Sequence, residues 1–124
     1  MENSNKLLTV DIYNSEEALK LALKNYWEID RLCSGRNTQH DSTISADYIH
    51  LFVDLKSAIK ALPQVYKFII FNHYLRGIIQ SEVAEAMNGV YEGNWTQQKV
   101  EATGRQAIEI IQANLQSING RRDA

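Results

Sequence analysis

Residues 62–107 read LPQVYKFIIFNHYLRGIIQSEVAEAMNGVYEGNWTQQKVEATGRQA, and this stretch decides the fold. It is punctuated as long helix, glycine, short helix, turn, long helix. Pro63 suits the first turn of a helix and disfavours helical geometry at Leu62. The segment Val65–Phe71, VYKFIIF, is strand-like by its β-branched and aromatic content. Its continuation to Leu75 and its proline start favour a buried helix over residues 63–75, stopped by Gly77. A short helix is predicted over residues 80–87, and a break follows over residues 88–95 with Gly89 and Gly93. A long helix is predicted over residues 96–119, ending before Gly120. Its apolar stripe is Val100, Gly104, Ala107, Ile108, Ile111, Leu115 and Ile118. Small residues at Ala84 and Gly104 allow two helices to cross closely, as helix-turn-helix packing needs.

Upstream, residues 14–32 open with Asn14 as N-cap and Glu17 three positions later, a capping-box pattern. Leu19, Ala22, Leu23, Tyr26, Ile29 and Cys33 recur at helical spacing, and Gly35 is expected to end the helix. Residues 34–42, SGRNTQHDS, are polar and read as a loop. A second helix follows over residues 45–62, with Tyr48, Leu51, Phe52, Leu55, Ile59 and Leu62 on one face. The expected fold is all-α with about five helices. A helical N-terminal region (residues 1–62) precedes a helix-turn-helix domain (residues 63–124).

Composition narrows the function classes. The apolar fraction of 44% suits a globular chain, and no apolar run is long enough to span a bilayer. Met1–Asn5 is polar, so no secretory leader is expected. With one cysteine, no intrachain disulfide can form, which fits a reducing cytoplasm. Cys33 borders an apolar stripe without a Cys/His motif and reads as packing. His40, His50 and His73 lack metal-ligand spacing. No P-loop, G-x-S-x-G or zinc pattern is present, so neither enzyme activity nor a cofactor is expected. The net charge is −2, and residues 63–124 carry six Lys/Arg against six Asp/Glu. Any DNA binding must therefore rest on local placement of charge.

Several short motifs, in order, resemble a known module. They are Leu62-Pro63, Tyr74-Leu75-Arg76-Gly77, Glu82-Val83-Ala84-Glu85, Thr96-Gln97-Gln98-Lys99-Val100 and then Ala107. This series resembles the C-terminal, promoter-reading domain of bacterial sigma factors over about half the chain. Small proteins with such a domain behind a helical N-terminal half are similar to phage and prophage late-gene regulators of the ArpU and RinA type. Two departures stand out. The turn is about five residues longer than the family's, with GVYEGN as the extra stretch. Ile79 also stands where the family has a Ser/Thr cap. Trp95 is placed to plug the core with Thr96 as N-cap, or the inserted loop forms a small wing. Tyr91 and Trp95 fit either a core plug or a contact surface.

The resemblance makes residues 96–112 a recognition helix. Its buried side is centred on Val100, Ala107 and Ile111. The expected DNA-reading residues are Thr96, Gln97, Gln98, Lys99, Ala102, Arg105 and Gln106. Gln98 or Gln106 can pair bidentately with adenine, and Arg105 with guanine or a phosphate. Ala102 can meet a thymine methyl, and Thr96 with the helix N-terminus suits a phosphate. The expectation is a phage-type regulator, monomer or homodimer, that binds double-stranded promoter DNA in the bacterial cytoplasm. Its acidic N-terminal half would touch RNA polymerase. Two rival readings stand beside it. One is a module that binds polymerase or another regulator without DNA, motivated by the neutral C-terminal half. The other is a small DNA-recognising subunit of a phage packaging ring.

Overall fold

The computed structural model of the chain describes residues 6–34 and 45–123. Most of the expected 34–42 loop, the Gly35 helix stop and His40 lie outside the described residues, as does the Arg122 side chain. Six α-helices are present: α1 Glu16–Lys24, α2 Tyr26–Cys33, α3 Ala46–Lys60, α4 Gln64–Ile69, α5 Gln80–Val90 and α6 Gln97–Asp123. A 3₁₀ turn, Val10–Tyr13, precedes α1, and a π-helical stretch, Ile70–Leu75, continues α4. No strand occurs among the described residues, so VYKFIIF is helical, as its proline start implied.

Six helices replace the expected five because the first one breaks at Asn25. Its backbone leaves the helical region at φ −107°, ψ 22°. Its side-chain Nδ2 donates to the Leu21 carbonyl at 2.9 Å, alongside its own N–H at 3.1 Å, so both asparagine donors close the end of α1 on one acceptor. The helix start also differs. Ser15, not Asn14, caps α1, its hydroxyl accepting from the Ala18 N–H at 3.1 Å. Asn14 is occupied in closing the preceding 3₁₀ turn through its N–H to Asp11 O. With Ser15 as cap, Glu17 sits one position too early for a capping box.

Ser45, the expected start of the second helix, is the N-cap of α3, accepting from Tyr48 N–H. The chain then turns at Leu62, which is buried, and Pro63 is the N-cap of α4 rather than its first helical residue. At the end of the π stretch Gly77 adopts φ +78°, a conformation that costs a glycine little. The Gly77 and Ile78 N–H groups close the helix by donating to His73 O and Asn72 O. Further on, α6 passes through Gly120 to Asp123 instead of stopping at residue 119. One helical glycine costs about 1 kcal/mol and is not by itself a stop.

Two apolar clusters hold the helices together. The larger joins Leu8, Ile12 and Tyr13 of the N-terminal arm to buried residues of α1, α2 and α3, and to Ile70 and Leu75. Ala107, Ile108, Ile111 and Leu115 of α6 complete it. The smaller consists of Ile69, Val83, Ala84, Met87, Trp95 and Val100. A helix of this length spans about 40 Å, enough for α6 to serve both clusters. Its amides also anchor the arm. Gln112 Nε2 donates to Ile12 O at 2.9 Å, and Gln116 Nε2 to Tyr13 O at 2.8 Å. Asn114 Nδ2 donates to Ala58 O at 3.1 Å, tying in the last turns of α3. Asp54, buried on α3, accepts from the Tyr13 hydroxyl. No helix among the described residues is long and apolar enough to cross a membrane.

Candidate nucleic-acid interface

The α5–turn–α6 unit is built on the smaller cluster. Val83, Ala84 and Met87 face inward from α5, at spacings that place them on one side of a helix. Val100 faces them from α6. Gly104 sits where a β-carbon would come within 3.2 Å of the Tyr74 ring and 3.4 Å of Ile69. The glycine therefore permits the close approach of α6 to the α4–π segment. Burial pushes the Tyr74 phenol above its ordinary pKa, in a setting that also includes Lys20, Glu16, Arg105 and Glu101.

The link between α5 and α6 is shorter than the sequence implied. α5 runs on through Val90, so Asn88, Gly89 and Val90 are helical and only residues 91–96 form the turn. Trp95 is 8% exposed and fills the end of the cluster. Tyr91 packs edge-on against Phe68, ring centroids 5.6 Å apart. Both aromatics of the turn thus serve packing. Asn88 fastens the turn: its Oδ1 accepts from Trp95 N–H at 2.7 Å, and its Nδ2 donates to Trp95 O at 2.9 Å. The indole Nε1–H donates to Glu92 O at 3.2 Å. Thr96 then caps α6, its hydroxyl accepting from Lys99 N–H at 3.1 Å. By contrast, Ile79 at the head of α5 supplies no capping hydrogen bond.

All seven predicted reading residues, Thr96, Gln97, Gln98, Lys99, Ala102, Arg105 and Gln106, are exposed, while Val100, Gly104 and Ala107 on the reverse side are buried. They do not stand equally free. The side chains of Gln97, Gln98 and Arg105 make no hydrogen bond or ion pair among the described residues. Lys99 instead folds back over the indole of Trp95, its Nζ 4.3 Å from the ring centroid. That cation–π contact is worth about 0.5–1 kcal/mol at an exposed site. Gln106 accepts from the Tyr66 hydroxyl at 3.3 Å, which draws it towards α4. The free row is therefore Gln97, Gln98, Ala102 and Arg105, with the capped helix start at one end.

A cleft of about 450 Å³ lies between α5 and the start of α6, lined by Glu82, Glu85, Asn88, Trp95, Thr96 and Gln97. Sequence reasoning missed Asn88 and the acidic wall of this cleft. Nothing in the local pattern marks an asparagine seven residues before a tryptophan as its clamp. Among the described residues no group of His, Cys, Asp and Glu could hold a metal ion. Comparison with family models, with curated proteins and with solved structures finds no match.

Proposed function

We propose that this chain is a DNA-binding transcriptional regulator of the phage late-gene type, reading promoter DNA with the first three turns of α6. The observation that supports this reading is the division of α6 into two faces. Val100 and Gly104 pack it against α4 and α5, and Ala107 is buried in the larger cluster, leaving Gln97, Gln98, Ala102 and Arg105 exposed, with no hydrogen bond or ion pair among the described residues. Amide and guanidinium groups are the side chains that pair bidentately with adenine and guanine edges in a major groove. The capped N-terminus of α6 adds a positive dipole end and free backbone N–H groups suited to a phosphate. RNA polymerase is proposed as a further contact of the N-terminal half.

The test is fluorescence anisotropy of labelled duplexes selected from a random pool. Wild-type affinity should fall steeply with added salt. Arg105→Ala should weaken the selected duplex by about 1–3 kcal/mol if it reads a base. Lys99→Ala, held over Trp95, should cost less. Equal binding by wild type and Arg105→Ala would remove α6 as the reading face.

A second reading is favoured by charge. Between residues 77 and 109 only Lys99 and Arg105 oppose Glu82, Glu85, Glu92, Glu101 and Glu109. Such a surface repels a phosphate backbone and suits a basic protein partner. This reading makes the chain a module that docks on polymerase or another regulator. Its mark would be capture of purified polymerase with no duplex binding even at low salt.

A further inference from the structure

We infer that the cleft where α2, α3 and the α4–π segment converge is a docking site for an acidic segment of a partner protein that carries apolar anchor residues. The cleft encloses about 270 Å³ and is lined by Tyr26, Lys56, Ile59, Lys60, Lys67 and Phe71. Three lysines from two elements thus ring an apolar floor in a chain whose net charge is −2. None of the three is in an ion pair: the only pairs among the described residues are Lys20–Glu16 and Arg31–Glu28. Asp30 on α2 acts electrostatically on Tyr26 and is one acid against three lysines.

The two cleft lysines of α3 lie on a longer stripe of that helix. Ile49, Val53, Lys56 and Lys60 are spaced four, three and four apart and so share one helical face. Val53 is 50% exposed and Ile49 39%. The stripe is apolar at its N-terminal end and basic where it meets the cleft. Phe71 is also partly exposed, and Trp27 stands half exposed with its ring centroid 4.9 Å from that of Tyr26. Lysines in excess over Asp30 repel one another, and an anionic partner would relieve that repulsion. A duplex backbone would be attracted by the lysines but has no use for a floor of Tyr26, Ile59 and Phe71. An acidic peptide with leucine or phenylalanine anchors uses both features.

The probe is a short fluorescein-labelled peptide alternating Asp/Glu with Leu/Phe, compared with the same peptide carrying Asn/Gln for every acid. Each is titrated with the full chain and with Lys56→Glu/Lys60→Glu, whose thermal unfolding is measured alongside. The acidic peptide should bind wild type and change Trp27 emission, a signal that Trp27→Phe abolishes. Binding should weaken about tenfold or more in the lysine variant and for the neutral peptide. Affinity of the lysine variant for the duplex bound through α6 should be unchanged, which separates this site from the proposed DNA face. Equal binding of acidic and neutral peptides would overturn the inference. So would equal binding by wild type and variant, or no peptide binding up to about 1 mM protein. Loss of duplex binding in the lysine variant, without peptide binding, would reassign the cleft to nucleic acid.

Discussion

Asn88 holds the turn that leads into α6 through two hydrogen bonds to the backbone of Trp95. Removing both should cost about 1–3 kcal/mol, because the Trp95 amide and carbonyl lose partners next to a buried ring. Asn88→Ala is therefore expected to lower the midpoint of urea unfolding and to weaken duplex binding together. Unchanged stability would mean that the turn is held by the Trp95 indole alone. Tyr48 offers a separate test. Burial pushes its phenol up to about 12, with Cys33 and Glu28 adding to the rise. The neutral form is thus favoured in the folded state. The stability this contributes is complete below pH 10 and is lost as pH rises from 10 to about 12. Burial shifts Tyr26 and Tyr74 the same way. Thermal unfolding across that window should show a falling melting temperature, with a shallower fall in Tyr48→Phe. Identical alkaline slopes would contradict the role of Tyr48.

At the scale of single elements, α5 begins without a capping side chain although Ile79 has the extended backbone of an N-cap, φ −66° and ψ 152°. Ile79 is 58% exposed, so its side chain contributes little burial. Ile79→Ser should stabilise the protein by about 0.5–2 kcal/mol by accepting a first-turn N–H. A lower melting temperature in this variant would show that the isoleucine packs more than its exposure implies. The same element shows where local pattern reading loses accuracy. Asn88 and Gly89 are poor helix formers, which argued for a break there. In the folded chain Met87 is anchored in the smaller cluster, and Tyr91 donates its N–H to Met87 O at 2.7 Å, carrying the helix through Val90. The π stretch is equally invisible in sequence. Its wider turns accompany Asn72, whose Nδ2 donates to the Phe68 carbonyl at 2.8 Å, an acceptor the Asn72 amide would take in an α-helix.

For the whole molecule, α6 and the α4–π segment both contribute to the two apolar clusters, and the N-terminal arm lies against α6. Sequence punctuation at Pro63 separates two stretches of chain. Packing joins them, because Ile108, Ile111 and Leu115 are buried with Leu8, Ile12 and Leu19. Circular dichroism should therefore report one cooperative unfolding transition for the full chain. Neither residues 1–62 nor residues 63–124 should fold alone, since each would expose several side chains worth about 1.5–3 kcal/mol apiece in burial. A fragment 63–124 with a sharp transition of its own would refute this coupling.

What the sequence by itself determined is the all-helical class, most of the helices and the inward face of most of them. Periodicity at Val100, Ala107 and Ile111, the Pro63 boundary and the Gly77 stop are local signals, and local geometry obeys them. It also marked Thr96 as the start of α6, because a threonine before a helical run can cap within its own four residues. Tertiary structure alone decided the break at Asn25, the shortened turn and the burial of Leu8, Ile12 and Tyr13. It also decided which of the predicted reading residues stand free. Lys99 and Gln106 look no different from Gln98 and Arg105 in the sequence. Their partners, Trp95 and Tyr66, come within reach only once α6 is packed against the turn and α4.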